Sequence, residues 1–104
     1  MMAEIERVKE IPLDVPFEDA TQNIRYESLT LRAPTLSQAE QFYEKQAVKT
    51  SLAAMRLLIA LTSGGIPESV LQKMDFIDFR KCEDFLMGFL TWRSSPSGKS
   101  EPQT

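Results

Sequence analysis

Asp75-Phe76-Ile77-Asp78-Phe79-Arg80-Lys81-Cys82-Glu83-Asp84-Phe85-Leu86-Met87-Gly88-Phe89-Leu90, residues 75–90, is an amphipathic helix written out in full. Phe76, Phe79, Cys82, Phe85, Leu86, Phe89 and Leu90 recur every three or four positions and make one apolar stripe. Asp78, Arg80, Lys81, Glu83 and Asp84 fall on the other face. Asp75 stands where an N-cap belongs, its carboxylate free to accept from the first unpaired amides. Two carboxylates three apart can hold a divalent cation or move a proton. Capping and the positive end of the helix dipole account for both, so neither is assigned a catalytic role.

Working back from Asp75, Pro67 suits a first helical position, where its missing amide costs nothing, and opens a short helix to about Lys73. Gly64 is the expected left-handed cap of the helix before it. Gly64-Gly65-Ile66 lacks the spacing and the lysine of a phosphate loop and reads as a turn between helices. Upstream, Leu36, Ala39, Phe42, Tyr43, Ala47, Leu52, Met55, Leu58 and Ile59 keep helical spacing. They predict one helix from about Thr35 to Ser63, or two with a bend near Thr50. Thr35-Leu36-Ser37-Gln38 has the form of a capping box.

Before Pro34 the period changes from helical to alternating. Ile11, Leu13, Val15 and Phe17 alternate with Pro12 and Pro16, which suits an edge strand starting near Arg7. Ile24 to Arg32 alternates again, with the step from Tyr26 to Leu29 marking a bulge. The pair predicts an antiparallel hairpin joined through Glu18–Asn23. Two strands alone are marginal in water, so their apolar face must lie on the helices. The expected fold is α+β and mainly α: an N-terminal β-hairpin packed on three to four helices in one domain, residues 1–93. Residues 94–104, Ser, Pro, Gly and charge with nothing to bury, are expected to be a disordered tail.

Composition removes most enzymatic chemistry. With no histidine among the 104 residues, a Ser-His-Asp or Cys-His arrangement and any His-ligated metal are excluded. The single cysteine, Cys82, can form no internal disulfide, and on the apolar stripe it reads as a small hydrophobe. No cofactor or metal is expected. A net charge of −3 offers no footprint for nucleic acid or an anionic membrane. The longest apolar run, Leu57–Leu61, has five residues against the roughly 20 of a membrane span. A soluble protein of a reducing, cytoplasmic setting is expected.

What remains is a surplus of aromatic and thioether side chains on the helices: Phe42, Tyr43, Met55, Met74, Phe76, Phe79, Phe85, Met87, Phe89 and Trp92. A domain this small cannot bury them all, and Met with amphipathic Trp suits surfaces that hold other helices. A partner-binding face is therefore expected on Phe42, Tyr43, Phe85, Phe89 and Trp92.

The order of signals resembles a known family. Ile11-Pro12-Leu13 with Pro16, Leu29-Thr30-Leu31-Arg32-Ala33-Pro34, Leu58-Ile59-Ala60-Leu61-Thr62 with Ile66-Pro67, then Leu71 and Met74-Asp75-Phe76-Ile77-Asp78 are similar to the tail assembly chaperones of Mu-like and related contractile-tailed phages, over roughly residues 8–92. One departure is the Glu18–Asn23 connection, which lacks the glycine expected near its turn. The resemblance implies a non-enzymatic morphogenesis factor of the host cytoplasm, absent from the mature virion. It implies binding to the long, helical tape measure protein, which it keeps soluble while tail tube protein assembles. It also implies a longer, frameshifted form of the chain as a further partner, with Phe89-Leu90 and Gly98-Lys99 as places where slippery codons fit, and it leaves oligomerisation open. The alternatives are a small interaction adaptor of phage or prophage origin and a DNA-binding regulator.

Overall fold

The computed structural model describes residues 6–94. Apart from Ser94, the expected tail lies outside the described residues. Two strands, β1 (Val8–Asp19) and β2 (Ile24–Arg32), precede four helices: α1 (Leu36–Val48), α2 (Ser51–Thr62), α3 (Glu68–Leu71) and α4 (Phe76–Leu90). The α+β hairpin-and-helices expectation holds.

The strands pair antiparallel from Val8↔Arg32 to Pro12↔Ser28 and again from Phe17↔Tyr26 to Asp19↔Ile24. Between the two blocks β1 spends Leu13, Asp14, Val15 and Pro16 against Glu27 alone. The irregular step that the sequence marks at Tyr26–Leu29 is thus real, but the extra residues belong to β1. Pro12 and Pro16 flank the bulge, where a missing amide donor does least harm. At the turn, the buried Asp19 carboxylate accepts from the amides of Thr21 and Gln22 at 3.0 and 3.2 Å. Asn23 takes the left-handed conformation at φ 57°, replacing the glycine that was expected there, and asparagine tolerates that region better than most residues.

The bulge is tied down from the far end of the chain. Asp78, in the first turn of α4, accepts from the amides of Asp14 and Val15 at 2.9 Å each. Its side chain is fully buried, so the polar, solvated face assigned to it from periodicity is corrected. Strand bulging leaves two amides without ladder partners, and the carboxylate supplies both acceptors. Lys81, one turn later, bridges Asp78 at 3.2 Å and Asp14 at 3.1 Å.

Of the two readings offered for Thr35–Ser63, the broken one is correct. Thr35 and Gln38 form the complete capping box of α1, and Thr50 caps α2 by accepting from the Ala53 amide. A β-region N-cap with its own side-chain acceptor ends one helix and starts the next, so the chain turns at Lys49–Thr50. The Gln38 amide then donates to the Leu61 carbonyl, bringing the start of α1 to the end of α2 and making the two an antiparallel hairpin. Past Thr62, Gly64 and Gly65 both adopt positive φ, and the Gly65 amide returns to the Ala60 carbonyl at 3.1 Å. That is the six-to-one bond of a glycine-terminated helix.

Ile11, Phe17, Leu29 and Leu31 from the hairpin, Met55, Leu58 and Ile59 from α2, Val70 and Leu71 from α3, and Cys82 and Leu86 from α4 form one core. Helix α2 is its centre, touching α1, α3, α4 and β2. The two ends of the predicted apolar stripes depart from it. Leu36 and Phe76 stand open to solvent, because each sits beside an N-cap, where the helix has just left the protein surface.

Candidate functional site

An apolar hollow of about 200 Å³ opens where three helices meet. Leu52 and Arg56 of α2, Leu71 at the end of α3, Gln72 and Met74 of the following turn, and Phe76 and Phe79 of α4 line it. Each arrives there for a local reason. Thr50 caps α2 two residues before Leu52, and Asp75 caps α4 one residue before Phe76, so both large side chains stand on first turns that end at the surface. Leu52 is 48% and Phe76 52% exposed, whereas Leu71 is buried and forms the floor.

The rings in the hollow are ordered by one another. Phe76 and Phe79 stack with centroids 5.8 Å apart and planes 12° from parallel. The Arg80 guanidinium lies 4.5 Å from the Phe76 centroid, a cation–π contact that holds the exposed ring in place. Charge at the rim is largely cancelled, since Arg56 pairs with Glu68 at 3.1 Å and Arg80 with Glu83. The hollow therefore presents apolar surface with little net field, which favours an apolar occupant over an ion.

The five side chains expected to meet a partner divide into two groups. Phe42 and Tyr43 pair edge to face on α1, 5.0 Å apart, and Phe85 and Phe89 pair likewise on α4 at 5.1 Å. Phe42 is buried against the core, so its expected place on a binding face is corrected: successive helix positions point about 100° apart, and this one faces α2. Tyr43 is half exposed on the outer side of α1, and Trp92 half exposed just beyond α4. Phe85 and Phe89 are half-buried, with Phe85 bordering a second hollow beside Lys9, Ile11 and Pro12 of β1 and Lys81 and Asp84 of its own helix. Leu52, Leu71, Phe76 and Phe79 were not among the expected contacts. A signal exists for two of them: Leu52 and Phe76 stand within two residues of strong N-caps, where an apolar side chain has no preceding turn to cover it.

Two buried side chains of α4, Asp78 and Cys82, have their protonation set by their surroundings. Burial raises the Asp78 carboxyl, but the two β1 amides and the Lys81 ammonium outweigh it and hold the group below its ordinary value. Burial, aided by the nearby Asp78 charge, pushes the Cys82 thiol up to about 12, which makes it inert at neutral pH. Among the described residues, no cluster of three or more Cys, Asp or Glu side chains could hold a metal ion. No described helix is long and apolar enough to cross a membrane.

Neither curated proteins nor solved structures return a match. The family model described as "Phage tail assembly chaperone proteins, E, or 41 or 14" matches residues 10–91, a span that takes in the β1 bulge, the helical hairpin, the apolar hollow and Asp78. With the match running from the first core strand to the end of α4, the chain belongs to the phage tail assembly chaperone family.

Proposed function

We propose that this protein is a non-enzymatic factor that binds the tape measure protein of a tailed phage in the host cytoplasm. It keeps that client soluble while tail tube subunits polymerise around it, and departs before the virion is complete. The observation that carries this reading is the apolar hollow of Leu52, Leu71, Met74, Phe76 and Phe79 on a member of a tail assembly chaperone family. A long amphipathic helix would self-associate through its apolar face unless small proteins cover it. A hollow of this size accepts one or two apolar side chains, which makes each contact weak and lets number supply the hold. Weak contacts also permit release when the tube protein arrives. Tyr43, Phe85, Phe89 and Trp92 lie outside the hollow and would serve as separate, additional contacts along so long a client, and a frameshifted longer form of the chain would work beside this one.

Co-expression with a phage tape measure protein tests the proposal. The client should stay soluble and co-purify, and Leu52→Asp with Phe76→Asp should lower capture about tenfold or more while leaving the circular dichroism unchanged. A client equally soluble with and without the protein overturns it.

A further inference from the structure

Helix α1 is a place where the chain spends structure without gaining core. Its 13 residues bury one side chain, Phe42, yet its first turn carries a complete capping box. Its outer face presents Leu36, 77% exposed, and Tyr43, 51% exposed, with Ala47 in line with them at i, i+7 and i+11. Those are three of the four a/d positions of a helix that packs along another helix, and the fourth, between Leu36 and Tyr43, is Glu40. Glu44 lies one turn on, at the flank of the seam, and both carboxylates are exposed. Like charges at i, i+4 repel, and among the described residues no cation pairs with either. The helix's basic residue, Lys45, falls on the opposite side, towards α2.

We infer that the outer face of α1 is a docking seam for an amphipathic partner helix whose apolar stripe is flanked by Lys or Arg. This rests on the proposed client reading only in taking the partner to be a helix. The charge selects the occupant. A second copy of α1 would bring its own carboxylates and no base to the seam, so self-pairing leaves the repulsion unrelieved or doubles it. A basic-flanked helix relieves it and covers Leu36 and Tyr43 at once. Alignment of charge would serve register and partner choice, and the apolar seam would serve affinity.

The test uses the full chain and two designed helical peptides with the same Leu seam, one flanked by Lys and one by Glu. Fluorescence anisotropy should show the Lys-flanked peptide binding about tenfold more tightly, with the difference shrinking as salt rises. Glu40→Lys with Glu44→Lys should reverse the preference, and Leu36→Ser with Tyr43→Ser should weaken both peptides. Equal binding of the two peptides, binding of neither, or no reversal in the charge-swapped variant overturns the inference. Normal peptide discrimination with no capture of the tape measure product would instead sink the functional proposal and leave the seam standing.

Discussion

Asp78 and Val15 lie 63 residues apart and are joined by a 2.9 Å hydrogen bond from the strand amide to the helix carboxylate. The neighbouring Asp14 amide uses the other oxygen, so one side chain closes both open donors of the bulge. Asp78→Asn keeps one acceptor and turns an N–H₂ towards the second amide, donor against donor. The expected loss is about 2–3 kcal/mol of stability, measured by urea unfolding. A variant as stable as the parent would show that the bulge is held by its prolines alone.

The same carboxylate sets a pH dependence. Its folded-state pKa lies below the ordinary value, so its stabilisation is whole above an unfolded-state pKa of about 3.9 and fades as pH falls through the folded-state value. Asp78→Asn has no such titration. The stability gap between parent and variant should therefore be constant from pH 7 to about pH 5 and narrow below about pH 4. A gap that widens in acid contradicts the assignment.

Much of this fold is local and was legible for that reason. Thr35 with Gln38, Asp75, and the break at Thr50 are readable because a cap needs only residues three apart. Asp78 was misread because its partners are strand amides that no helical period reveals. Phe42 and Tyr43 are adjacent, and sequence alone cannot say which of two neighbouring rings faces α2. The hollow draws on three elements whose mutual placement follows from packing, so the N-caps at Thr50 and Asp75 mark Leu52 and Phe76 as uncovered side chains without showing that the two meet.

That division between Phe42 and Tyr43 has a measurable consequence. Phe42→Ala opens a cavity in the core and should cost about 3–4 kcal/mol, while Tyr43→Ala should cost under about 1 kcal/mol. Client capture lost in the Phe42 variant would report unfolding of the α1–α2 hairpin rather than a missing contact. Equal destabilisation by the two substitutions would place both rings in the core.

Cys82 offers a probe of global opening. With the thiol pushed up to about 12 and the side chain fully buried, a thiol-reactive dye should label the native protein at least about a hundredfold more slowly than the protein in guanidinium. Comparable rates would mean that α4 detaches from the β1 bulge in the native state.

Local stability should follow the uneven burial of the helices. Helix α2 sits at the centre of the core and α4 is pinned through Asp78 and Cys82, whereas α1 is held by Phe42, its caps and the Gln38 bond to Leu61. Opening of α1 thus exposes little apolar surface, and its amides should exchange with solvent well before those of α2 and α4. Gln38→Ala removes both the return half of the capping box and the link to Leu61, and should speed exchange in α1 several-fold without affecting α4. A Lys-flanked partner helix on the outer seam should slow exchange across α1, because covering Leu36 and Tyr43 gives the helix the second apolar contact it lacks in the isolated chain. Protection gained only around the Leu52–Phe76 hollow would assign the partner to that site and leave α1 as a strut.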